Sequence, residues 1–263
     1  PGLVRTWIAQ AYAFGHQFMP PVHQWCYTKE KGTHWWDPEP KEFAYLCRFV
    51  RENAELFDDY DAVAHVGLLY SNAGFRRWKR KPTIEACHEL AEMNVPFRVL
   101  AAGDKWIPQR LDAGELGKLR AVMVADELLL DAEQQATLDG VGSRVVLWPD
   151  EKDKLRELAP PAVVVDGAEK VTAVPRAKPD DPDAPFICHL VNRNYDLESD
   201  SMVVQRDFRL WLARSLFGAE IARATLHAPG REPVKLEVRQ SEDGTEVAIP
   251  ELDLWAVLRL ERE

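Results

Sequence analysis

RTWIAQAYAFGHQFMPP (5–21) is an amphipathic segment that runs into a short apolar one. Leu3, Trp7, Ile8, Ala11 and Tyr12 recur at the spacing of one helix face, and Gly15 stands where a left-handed residue would end the helix. HQFMPP (16–21) then reads as a strand, and a second helix follows a long loop. One helix, one strand and one helix cannot bury their own apolar faces. The chain also opens on Pro1 rather than Met. The expectation is therefore a chain that begins inside a larger α/β structure.

Working outward, the second helix starts near Pro40, a residue suited to a first turn, and Phe43, Leu46, Cys47, Val50, Ala54 and Phe57 form its stripe. Helix, strand, long loop and helix is the order that closes a (β/α)8 barrel, where the loop after a strand's C-terminal end lines the active site. That loop is VHQWCYTKEKGTHWWDPEP (22–40), long for such a connection and rich in Trp and His. Residues 1–57 are thus expected to be a partial barrel end.

Residues 58–170 alternate buried strands, AHVGLLYS (64–71), FRVLAA (97–102), AVMVAD (121–126) and RVVLW (144–148), with helices at 82–95 and 131–141, Asp131 serving as an N-cap. PAVVVDG (161–167) could add another strand. This pattern predicts a flavodoxin-like doubly wound parallel sheet. After the linker PRAKPDDPDAP (175–185), residues 171–263 carry short strands separated by polar turns such as Pro229-Gly230 and Asp243-Gly244, which predicts a small antiparallel β-sandwich. The whole is expected to be α/β.

Composition narrows the partners. With 46% hydrophobic and 29% charged residues the chain can build real cores. A net charge of −10 argues against nucleic acid and anionic membrane surfaces, because phosphate binding needs basic surface. No apolar run approaches a membrane span. Compartment stays open between cytoplasmic and secreted. Cys26, Cys47, Cys87 and Cys188 lie far apart without a CxxC pair and read as buried or free thiols. The basic run Arg76, Arg77, Lys79, Arg80, Lys81 lacks both phosphate-loop and dinucleotide spacings and reads as a solvated face, so no cofactor is expected.

The three-part order, with RTWIAQAYAFGHQFMPP (5–21), AVMVADELLLDAEQQATLDGVGSRVVLW (121–148), HLVNRNYD (189–196) and IPELDLWAVLRLE (249–261), resembles the C-terminal part of TIM-barrel glycoside hydrolases of the family 42 β-galactosidase group. The resemblance implies a glutamine-amidotransferase-like trimerisation domain at 58–170, a terminal β domain at 171–263, a carbohydrate substrate and a homo-oligomer formed through 58–170. No Cys follows the strand AVMVA, where Asp126-Glu127 stand instead, so the middle part is expected to be non-catalytic. The carboxylate pair that cleaves the glycosidic bond is expected upstream of this segment.

Within loop 22–40, Trp25, Trp35 and Trp36 offer flat faces for sugar rings, and His23, His34 and Asp37 offer polar contacts. Packing is the competing role for the tryptophans, and helix capping for Asp37 or Glu39. The His spacings match no zinc pattern, so no metal is expected. Asn192, Asn194 and Tyr195 fit a turn that bonds to itself, with a carbohydrate surface as the other reading. The leading reading is a segment of a glycoside hydrolase; the second is a non-catalytic sugar-binding or assembly module.

Overall fold

The computed structural model describes residues 2–18, 27–28, 33–34, 43–77 and 82–262. Helix α1 (Gly2–Ala13) ends as its sequence suggests. Gly15 takes φ +79°, its N–H donates to Tyr12 O at 3.0 Å, and His16 N–H donates to Ala11 O at 2.8 Å. These two bonds satisfy the last carbonyls of the helix. Short strands β1 (Tyr27–Thr28) and β2 (Thr33–His34) pair as a hairpin. Helix α2 (Tyr45–Glu52) and a 3-10 turn (Ala54–Leu56) precede β3 (Asp61–Ala62).

A small parallel unit follows, in chain order β4 (Val66–Ser71), α3 (Asn72–Arg77), α4 (Pro82–Glu92), β5 (Phe97–Ala102), α5 (Ala113–Gly117), β6 (Ala121–Val124), α6 (Ala132–Asp139), β7 (Val145–Leu147) and α7 (Lys152–Leu158). Its strands lie in the order β5-β4-β6-β7. Asp112 and Asp131 cap α5 and α6, accepting from Glu115 N–H at 2.7 Å and Gln134 N–H at 3.0 Å.

The rest is antiparallel: β8 (Val163–Asp166), β9 (Val171–Ala177), β10 (Phe186–Asn192), β11 (Tyr195–Asp196), β12 (Ser201–Met202), β13 (Gln205–Ala213), α8 (Arg214–Phe217), β14 (Arg223–His227), β15 (Val234–Leu236), β16 (Val238–Gln240), β17 (Gly244–Leu252) and β18 (Trp255–Glu261). One sheet has the order β15-β14-β18-β10-β9-β3 and another the order β16-β17-β13-β8. They face each other across a core in which Cys188, Leu190, Leu258 and Leu260 of the first meet Phe208, Leu210, Val247 and Ile249 of the second. Side chains alternate across a strand. Phe186, Cys188 and Leu190 of β10 enter that core, while Ile187 and Val191 face the opposite way.

That opposite face is covered by the N-terminal helices. Ile8, Ala9 and Ala13 of α1 and Leu46 and Phe49 of α2 pack on Ile187, Val191, Trp255 and Val257. Being covered on both faces, β10 is buried along its length, which explains its apolar run.

Three expectations are corrected. No barrel end forms among the described residues. Residues 16–18 are irregular, 19–21 lie outside the described residues, and the stripes of α1 and α2 are covered by an antiparallel sheet. A flavodoxin-like wound sheet is not formed either. The parallel sheet has four strands of three to six residues, and β8, from the run PAVVVDG, leaves it to pair antiparallel with β13. The antiparallel part is not a small terminal sandwich, since it recruits β3 and β8 and makes the molecule mostly antiparallel β. An apolar run fixes that a strand is buried, not which neighbour buries it.

Candidate functional site

Among the residues singled out from sequence, Trp25, Trp35, Trp36, His23 and Asp37 lie outside the described residues. His34 is placed by its backbone in β2, opposite Tyr27. Asn192 is fully buried; its Oδ1 accepts from Asn194 N–H within the turn, while its amide donates to Val203 O and Asp253 O and ties the turn to distant segments. Cys87 sits in α4 with its thiol pushed up to about 11 by burial, the opposite of an activated nucleophile.

A surface that sequence reading passed over is built by GDKWIPQR (103–110), after β5. Asp104 Oδ1 accepts the N–H groups of Trp106 at 2.8 Å and Ile107 at 3.0 Å, while Asp104 Oδ2 accepts from the Asn72 amide at 3.1 Å. Gly103 N–H donates to Gln109 O at 2.9 Å. A Cβ at Gly103 would fall 2.0 Å from Gln109 O and 2.1 Å from Ile107 O, so the loop closes this tightly only around glycine. The Gln134 amide, rooted in α6 and 1% exposed, donates to Gly103 O at 3.1 Å.

This pinned loop displays the Trp106 indole 68% exposed, with Lys105 Nζ 5.1 Å from its ring centroid. A cavity of about 360 Å³ begins at the next residue, lined by Ile107, Gln109, Arg110, Asp112 and Glu115 and by Arg98 of the edge strand β5, although Trp106 itself does not line it. Arg98 pairs with Glu115 at 3.0 Å. A flat ring held out on a rigid loop, next to hydrogen-bonding groups, is the arrangement that stacks on a sugar ring and reads its hydroxyls. The sequence signal was a Trp flanked by Gly, Lys and Pro, outweighed by the denser Trp pattern of 22–40. Trp255 makes the contrast. It is 2% exposed, stacked by Tyr12 at 6.2 Å and His189 at 5.9 Å, and serves packing.

Glycosidic cleavage asks for one carboxyl whose pKa is raised. The described carboxylates with a resolved shift all move down. Hydrogen bonds do this, from backbone N–H groups at Asp131 and Glu151, from Ser199 at Asp196, from Tyr195 at Asp200 and from Arg231 at Glu251.

No family model matches the chain. It is 30% identical over 281 residues to an alpha-agarase of Thalassotalea agarivorans and 28% identical over 270 residues to an alpha-agarase of Alteromonas agarilytica. In each case 99% of this chain aligns, and it spans 18% of the relative's length. All of this chain superposes on 57% of alpha-L-fucosidase isoenzyme 2 from Paenibacillus thiaminolyticus, with a TM-score of 0.66 at 11% identity, which is a likeness of fold. The similarity fits a segment of a glycoside hydrolase and does not single out family 42.

Proposed function

We propose that this chain is the substrate-holding segment of a glycoside hydrolase that cleaves O-glycosyl bonds of a polysaccharide, with the acid pair supplied from outside the segment. The observation that carries this reading is Trp106, exposed on a pinned loop whose next residue, Ile107, lines a polar cavity, in a chain whose sequence relatives are agarases. Trp25, Trp35, Trp36, His23, His34 and Asp37 are proposed as further sugar contacts.

The test is titration of agaro-oligosaccharides into the 263-residue chain, followed by tryptophan fluorescence and calorimetry. Trp106→Ala is expected to weaken binding about tenfold, the size of one lost stacking contact. Its melting temperature should hold, because the side chain is exposed. Equal affinity in the variant would remove Trp106 from the site. No saturable binding by the unaltered chain would remove the substrate-holding reading itself.

A further inference from the structure

Arg176 on β9 is 8% exposed, a cation nearly withdrawn from water. Its Nη2 donates to Tyr60 O, and among the described residues that is its one hydrogen bond. The Gly15 backbone lies against the guanidinium plane: a Cβ there would sit 2.5 Å from Nη2 and 2.6 Å from Nη1. The fork is therefore held between the end of α1 and the Tyr60 carbonyl, with most of its N–H groups unspent. No ion pair joins it to a described carboxylate; Asp61, exposed at the neighbouring edge strand, acts on it through space.

The residue lines a groove of about 350 Å³ between α1, the edge of the antiparallel sheet and the start of β5. Phe14 and Phe97 supply apolar wall, and His16 and Arg98 line it too. Asn94 fixes the two sides, its amide donating to Val171 O at 3.2 Å and its carbonyl accepting from Ala173 N–H at 2.7 Å. The guanidinium nitrogens not spent on Tyr60 open onto this groove, so the charge is presented to whatever the groove holds. A planar fork facing a groove is matched by a carboxylate or sulfate, which takes two parallel N–H bonds.

We propose that Arg176 and this groove form a binding site for an oxyanion, a carboxylate or sulfate group, either free or carried on a sugar. The volume suits a monosaccharide-sized ligand. The site is separate from the Trp106 loop, although the two cavities meet along β5 at Arg98 and Val99, and it stands whether or not Trp106 touches sugar.

The experiment is calorimetric titration of the full chain with sodium sulfate, sodium acetate, D-glucuronate and D-glucose at constant ionic strength. Saturable binding of sulfate or glucuronate, with none of glucose, is expected. Arg176→Met should abolish it. Arg176→Lys, which keeps the charge but loses the fork, should weaken it about tenfold or more. Glucuronate at least about tenfold tighter than acetate assigns the groove to an acidic sugar, and equal affinities assign it to a free oxyanion. Should Arg176→Met fail to fold, Arg176→Lys carries the comparison. No binding by the unaltered chain, or unchanged affinity in Arg176→Lys, overturns the site. Trp106→Ala should bind sulfate as the unaltered chain does, which separates failure here from failure of the substrate-holding reading.

Discussion

His189 and His65 are kept neutral by where the chain puts them. His189 is 1% exposed, its Nδ1 accepts from Trp255 Nε1 at 3.3 Å, and burial followed by the nearby Arg176 charge pushes its pKa down to about 3. His65 has a buried Nδ1 without a partner, and burial followed by Arg120 pushes it down to about 4. In the unfolded chain both titrate near ~6.5. Unfolded protein therefore takes up protons first as pH falls, and stability is whole above about pH 6.5, then declines toward pH 4 for His65 and pH 3 for His189. Urea midpoints should be flat from pH 7 to 8 and drop steadily below 6.5. His65→Gln should flatten the upper part of that slope, and a midpoint unchanged between pH 7 and 5 would contradict the burial argument. Some residue roles were legible beforehand: Gly15 as helix stop and Asp131 as cap follow from local chemistry that needs no tertiary partner. His189 and Arg176 were not, because an imidazole or a guanidinium gives no sign in sequence of whether it ends up exposed or enclosed, and the turn residues around Trp106 mark a loop without saying that its indole stays exposed.

At the scale of elements, periodicity identified what is buried but not by what. The stripe through Phe43 and Leu46 is real, since they are 5% and 0% exposed, whereas Cys47 turns out exposed. The runs at 64–71, 97–102, 121–126 and 144–148 do contain strands, and PAVVVDG contains one too. Each such run is compatible with a parallel or an antiparallel neighbour, and the choice rests on non-local pairing. Here β8 pairs Val163 to Asp166 with Leu212 to Arg209, which shifts the balance of the molecule to antiparallel sheet. The cover of α2 by β10 and β18 can be measured. Leu46 is enclosed by that sheet, so Leu46→Ala should cost about 2–5 kcal/mol in urea unfolding, the range for a deleted core leucine. Cys47→Ala, one position on and exposed, should change stability by roughly 0.5 kcal/mol or less. Equal, small effects at the two positions would mean that α2 does not sit on the sheet.

For the whole molecule, the decisive relation is between residues 1–57 and the antiparallel sheets. A barrel remnant would leave its own stripes without partners, and removing it would take apolar surface out of water. The structure reverses that sign. The two helices cover one face of the six-stranded sheet, where Trp255, Ile187, Val191 and Val257 are each 2% exposed or less. Tyr12, Phe49 and Phe57 surround the Trp255 indole at centroid distances of 6.2, 5.4 and 5.6 Å. Without residues 1–57, that aromatic and aliphatic face would stand open, a patch of the size that binds dyes and neighbouring molecules. Deleting 1–57 should therefore raise fluorescence of a hydrophobic dye several-fold and lower the melting temperature. The double substitution Trp255→Ser and Val257→Ser in the deleted chain should reverse part of the dye signal. Dye binding that falls on deletion would show instead that the N-terminal helices, not the sheet, carry the unpartnered apolar surface.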